Sequence, residues 1–217
     1  MSPFAEIPLI ADPNEGLTWG NVREHLTNKF RSPEHAQLLR GQSPEEAAAR
    51  KAAVVIAAFV GFPKAETLVG EQTLIRVSSF RDPYGRRNQP KGEWWFSEAF
   101  LLKLLNQYEG DSRSHCFPPD GFRRELQSLL ALSDNFSDVE QLWCIRLKAG
   151  QKLTGLAGPA SPQPLDSSLA GSYLNMGKLP GGIWQYYFPN LPADCVVEEY
   201  PLHLLEGVWF PKRRTKP

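Results

Sequence analysis

Three cysteines and four histidines in 217 residues leave little material for thiol or metal chemistry. Cys116, Cys144 and Cys195 stand far apart, without the C-x-x-C or C-x-x-H spacing that a zinc site uses. No metal is expected, and an odd number of isolated thiols suits a reducing compartment better than a disulfide framework. His115 adjoins Cys116 directly. Neighbours on a strand point to opposite sides, so the two do not make a cysteine nucleophile with its base. Charge of one sign is missing too, because 24 Lys and Arg balance 24 Asp and Glu. No global field therefore favours nucleic acid or an anionic membrane. The apolar run 52–60 is far shorter than a membrane span, and no basic region followed by an apolar core opens the chain. A protein without a conventional signal peptide, independent of membrane and nucleic acid, is the expectation.

What is present is enough apolar material, 41%, for a sizeable core, with 19 prolines and 17 glycines to break it into short elements. Residues 1–16 read as a surface arm. Leu17, Val22, Leu26 and Phe30 recur near helical spacing. Ser43-Pro44-Glu45-Glu46 combines a cap, a proline at the first helical position and a capping-box glutamate, so it starts a helix reaching about residue 59. From residue 72 the pattern turns to β-branched and aromatic segments parted by turns such as Asp82-Pro83-Tyr84-Gly85 and Pro118-Pro119-Asp120-Gly121. Strands are predicted over 73–78, 92–97, 142–147, 152–155, 184–188 and 196–200, with helices over 98–108 and 122–132. The chain reads as α+β, with a helical N-terminal segment (1–70), a mixed domain (71–205) and a basic tail (206–217). A long Pro/Ser/Gly-rich loop between 155 and 182 is the kind that is more often functional than filler.

Three clusters carry polar groups suited to chemistry. In Leu74-Ile75-Arg76-Val77-Ser78 a single arginine interrupts a strand, a rigid mounting for a guanidinium fork facing phosphate or carboxylate, or for a salt bridge. In Gly92-Glu93-Trp94-Trp95-Phe96-Ser97 three aromatics supply flat faces for core packing or for stacking on a heterocycle, and Ser97 can cap the next helix or touch a ligand. In Pro180-Gly181-Gly182-Ile183-Trp184-Gln185-Tyr186-Tyr187 a glycine turn opens onto an aromatic strand carrying one amide. Paired glycines allow positive φ and close approach of a ligand, or simply a hairpin turn.

Taken in order, the arginine strand, the Gly-x-Trp-x-x-Ser strand, the Gly-Pro turn at 158–159 and the Gly-Gly-x-x-Gln-Tyr strand resemble the ADP-ribosyltransferase superfamily. Within it they are most similar to NAD-glycohydrolase toxins like the tuberculosis necrotizing toxin, which carry glutamine where transferases usually carry glutamate. The resemblance covers about 72–202 and implies a split β-sheet with NAD as substrate and no metal. It implies that Arg76 binds the NAD phosphates or ribose, and that Trp95, Phe96 and Ser97 support the nicotinamide end. It further implies that Gly181 and Gly182 shape the turn while Gln185 steadies the charge on the nicotinamide ribose as the glycosidic bond breaks. Such an enzyme would act as a toxin or effector, in the cytoplasm or delivered into a target cell. Its partners would be an immunity or antitoxin protein and, for a transferase, a protein acceptor. Because Gln185 cannot ionise and the paired glutamates of arginine-modifying transferases are missing at this turn, NAD hydrolysis is favoured over protein modification. Glu198 and Glu199 could supply a carboxylate but read more simply as part of an edge strand. A non-catalytic module gripping a nucleotide or protein, and an interaction protein built on aromatic strands, are the competing readings.

Overall fold

The computed structural model describes residues 11–36, 39, 41–78, 92–111, 120–130, 141–164, 178–179, 181–192 and 196–201. They form an α+β fold. A 3-10 turn (Trp19–Asn21) leads into α1 (Val22–Arg31), α2 (Pro33–Ala36) and α3 (Pro44–Ala57), then β1 (Lys64–Val69), β2 (Thr73–Ser78) and β3 (Trp94–Ser97). Helices α4 (Glu98–Asp111) and α5 (Asp120–Leu129) precede β4 (Gln141–Arg146) and β5 (Lys152–Pro159). The short pair β6 (Gln163–Pro164) and β7 (Lys178–Leu179), then β8 (Trp184–Tyr187) and β9 (Val196–Pro201), complete the order. Helix α3 starts where its cap requires: Ser43 Oγ accepts from Glu46 N at 3.2 Å, and the Glu46 carboxylate accepts from Ser43 N at 3.0 Å.

Seven strands make one antiparallel sheet in the order β1-β5-β8-β3-β2-β4-β9. Strands β1 and β2 are four positions apart in that order, about 19 Å in a flat sheet. Only Gly70, Glu71 and Gln72 join them, a link that can span at most about 14 Å. The sheet must therefore fold over, and its two halves meet where Gly70 N donates to Gln151 O (3.0 Å) and Leu147 N to Gln72 O (2.9 Å). On the inner face of that fold, Leu68 and Leu153 from one half join Leu74, Trp95, Trp143 and Ile145 from the other in one buried cluster.

The other face carries the helices. Leu26, Ala52, Val55 and Phe59 from the N-terminal segment pack on Leu156 and Tyr187, while Leu101, Leu105 and Leu126 from α4 and α5 pack on Ile75, Phe96 and Leu142. The helical segment is thus a layer on the sheet. β1, which falls on the N-terminal side of residue 70 and was not foreseen, is one edge of the sheet, and β9, read as an edge from sequence, is the other. β5 runs to Pro159, past the foreseen end at Gly155, because Leu156 to Pro159 pair with β8. His115, Cys116, Cys195, the turn at 82–85, the first two residues of the turn at 118–121, the arm before residue 11 and the basic tail lie outside the described residues, while Asp120 and Gly121 open α5.

Candidate functional site

Cross-strand partners in a sheet share a face, so the register assigns each foreseen residue to a side. Phe96 is the partner of Ile75 on β2 and of Gln185 on β8, which puts Gln185 on the helix-covered face. Arg76 is the partner of Trp143, Ser97 of Leu74 and Trp95 of Tyr186, and those partners all belong to the inner face. The structure therefore brings Arg76, Trp95 and Ser97 together on the inner face and sets Gln185 and Phe96 on the other.

Gln185 is buried, and its Nε2 donates to Ala58 O at 2.7 Å, the carbonyl of the residue that ends α3. Ser161 N donates to the same oxygen at 2.8 Å. Among the described residues Oε1 makes no hydrogen bond, and the side chain is 7% exposed. The glycine turn before it is tied down. Gly181 has φ 65° and Gly182 φ 98°, and a β-carbon on Gly181 would stand 2.6 Å from Ala160 O. The N–H groups of Gly181, Gly182 and Ile183 donate to Ser128 O (3.1 Å), Ala160 O (2.9 Å) and Leu129 O (3.4 Å). With these donors engaged, the turn holds β8 against β5 and α5 and does not form an anion cradle.

On the inner face the Arg76 guanidinium lies against Gly92, where a β-carbon would fall 1.8 Å from Nε and 2.2 Å from Cζ. Burial pushes its ionisation downward, opposed by the negative charge of Glu93 nearby. Trp95 is 1% exposed and donates its indole N–H to Gly92 O at 2.7 Å, and Phe96 is 2% exposed. Neither ring has a face open for stacking. Ser97 accepts from Phe100 N at 3.4 Å, the capping contact foreseen for α4. An aromatic that sequence reasoning gave no role is open: Trp184 is 45% exposed, and extending the β3–β8 register by one residue sets it across from Ser97. On the same face Tyr186 donates to Glu66 Oε1 at 3.4 Å, and burial, then the Glu66 charge, pushes its hydroxyl up to about 12.

Also unforeseen is a partly buried ion cluster where the N-terminal helices meet the residue before β3. Glu93 receives Lys29 Nζ at 2.7 Å and Lys51 Nζ at 2.6 Å, and Lys29 also donates to Pro189 O. Burial disfavours the Glu93 carboxylate, but Lys51 and Lys29 together outweigh it and hold the carboxyl below its ordinary value. Lys51 lies 5.9 Å over the Tyr187 ring, and among the described residues the buried Tyr187 hydroxyl has no partner within hydrogen-bond geometry. Its ionisation is pushed far up by burial and then by the Glu93 charge. Glu199 and Glu198 stand on β9 opposite Trp143 and Cys144, and Cys144 is buried. Among the described residues no three His, Cys, Asp or Glu side chains gather, and no helix is long and apolar enough to cross a membrane.

No protein-family model matches the chain, and no curated protein matches it. Among solved structures it is similar to Rhs1-CT in complex with its cognate immunity protein RhsI1, at 13% identity and a TM-score of 0.38, over 65% of this chain and 82% of that one. A likeness this slight fixes neither fold nor activity.

Proposed function

We propose that this chain cleaves the nicotinamide–ribose bond of NAD, with Gln185 as the residue that meets the ribose. The observation that carries the reading is the placement of Gln185: it follows a fixed double-glycine turn, its Nε2 is held by Ala58 O at 2.7 Å, and its Oε1 makes no hydrogen bond among the described residues. An amide pinned at one end is oriented in advance, so the other end can accept from a ribose hydroxyl and set its dipole against the positive charge that develops on the sugar. In the hydrolytic form the bond from the nicotinamide nitrogen to the anomeric carbon breaks with its electron pair leaving on nicotinamide. A water oxygen then bonds to that carbon and releases one proton, giving ADP-ribose. In the transferase form a nucleophile on a protein acceptor replaces the water. A cell making such an enzyme needs a neutralising partner, so an immunity protein belongs to the proposal, as does action inside a target cell.

Trp95 and Phe96 enter this reading as the core that fixes β3, and Trp184, across from Ser97 on the face opposite Gln185, does not reach the ribose. Arg76 and Ser97, on that same face, act on the fold and not on the ribose. A second reading, a non-catalytic nucleotide or protein binding module of the same fold, is favoured by one observation: the turn's N–H donors are all engaged internally. Incubating the purified chain with NAD, and separating free nicotinamide and ADP-ribose from intact NAD, distinguishes them. Release of both products supports hydrolysis. Calorimetric binding of NAD without release would replace the enzyme by the module, and neither binding nor release would sink both.

A further inference from the structure

Strand β1 is an edge of the sheet, paired to β5 alone among the described residues, and Lys64, Ala65, Thr67 and Val69 along it are exposed. Which of its backbone groups face outward follows from two hydrogen bonds of β5. Gln151 O accepts from Gly70 N, whereas Thr154 N turns away from β1 to Asp12 Oδ2 at 2.8 Å. Odd-numbered residues of β5 therefore bond to β1, and through the register their partners Lys64, Glu66 and Leu68 are the inward-bonded residues of β1. The N–H and C=O groups of Ala65, Thr67 and Val69 point out from the edge.

We propose that this edge pairs antiparallel with β1 of a second copy of the chain, about a twofold axis at Ala65. Two copies can join in a regular ladder only if outward residues meet outward residues, and the charges on β1 then choose among the registers. Centring on Glu66 sets two carboxylates face to face, and centring on Lys64 sets two ammonium groups together. Centring on Ala65 puts Lys64 opposite Glu66 of the second copy and Glu66 opposite its Lys64. These fall at non-hydrogen-bonded positions, where side chains approach closest. Ala65 then exchanges two backbone bonds with its own counterpart, and Thr67 donates to the carbonyl of Pro63. Single charges on an edge normally discourage such pairing, but a Lys and a Glu two residues apart on one face are complementary to their own copy. Phe62, 81% exposed, and Val69, 55% exposed, flank the edge with apolar surface to cover. The contact is small, so the association is concentration-dependent and weak by the standard of obligate dimers.

Sedimentation velocity over a concentration series reaching about 100 μM tests this, a range suited to small interfaces. The parent is expected to shift from monomer to dimer. Lys64→Glu and Glu66→Lys each turn two attractive pairs into two repulsive ones and should weaken the dimer about tenfold or more. Mixing these two variants restores opposite charges across the axis, so the mixture should dimerise where neither does alone. Ala65→Pro removes an outward donor and no bond to β5, and should leave a folded monomer by circular dichroism. A parent that stays monomeric throughout overturns the proposal. So does a dimer unmoved by the charge reversals, or a mixture that fails to associate.

Discussion

Arg76 and Gln185 stand on opposite faces of one sheet: Arg76 pairs with Trp143 over the inner cluster, while Gln185 pairs with Phe96 beneath the helices. A ligand approaching from one side meets one of them. In the proposed reading the pair divides into a residue that holds the fold and a residue that meets the ligand, and each side of that division can be tested.

The packing of Arg76 on Gly92 predicts a strongly coupled pair. Gly92→Ala places a methyl 1.8 Å from Nε and must displace the guanidinium, at an expected cost of about 1–3 kcal/mol. In an Arg76→Ala background the nearest atoms to that methyl are gone, and the same change should cost less than half as much. Urea denaturation of the four proteins gives the cycle. Equal costs in both backgrounds would mean that the contact does not constrain the fold.

Glu93 should govern acid stability. Lys51 and Lys29 hold its folded carboxyl below the ordinary value of 4.5, so on acidification the unfolded chain takes up the proton first. The stability that Glu93 confers is present above that value and is lost as pH falls through the folded one. Glu93→Gln leaves two partly buried ammonium groups without their carboxylate, an expected loss of about 2–4 kcal/mol at neutral pH, together with a flatter acid limb. Denaturation midpoints from pH 7 to 3 measure both, and an unchanged acid limb in the variant would assign the acid sensitivity elsewhere.

A carboxylate at position 185 should behave in the opposite sense. Gln185→Glu replaces the donor to Ala58 O by a buried anion facing a carbonyl, which pushes its folded ionisation up. The variant should lose about 3 kcal/mol at neutral pH and recover part of it on acidification, because the protonated acid can again donate to Ala58 O. Thermal melts at pH 7.5 and about 5 check the sign. A variant that is no more stable at the lower pH would contradict the assigned Nε2 contact.

The two glycines of the turn should differ. Gly181→Ala suffers both the positive φ and a 2.6 Å approach to Ala160 O, whereas at Gly182 a β-carbon meets nothing within 4 Å. Expected costs are about 3 kcal/mol or more for the first and about 1 kcal/mol for the second. Equal destabilisation would show that dihedral strain alone decides the turn.

Much of this architecture could be read from local chemistry. Ser43 and Glu46 mark the start of α3, Leu101 and Leu105 mark the buried stripe of α4, and Ser97 marks its cap. β1 escaped notice because an edge strand with one buried residue, Leu68, has no apolar alternation to detect. The site was less accessible for a geometric reason. Alternation fixes which side chains of one strand share a face, but the face shared between strands depends on register, and the Phe96–Gln185 pairing is set by contacts distant in sequence. Trp95 and Phe96 suited stacking by type alone. Both are core because helices cover one face and the folded-over sheet encloses the other. The Lys29–Glu93–Lys51 cluster joins α1, α3 and the residue before β3, and no local signal predicts that they meet.

The most direct measurement is nicotinamide release from NAD by the parent, Gln185→Ala and Arg76→Ala, each confirmed folded at the assay temperature. The account predicts release by the parent, a loss on the order of a hundredfold in Gln185→Ala, and retained release in Arg76→Ala. No release by the parent, or an equal loss in Arg76→Ala, would contradict it.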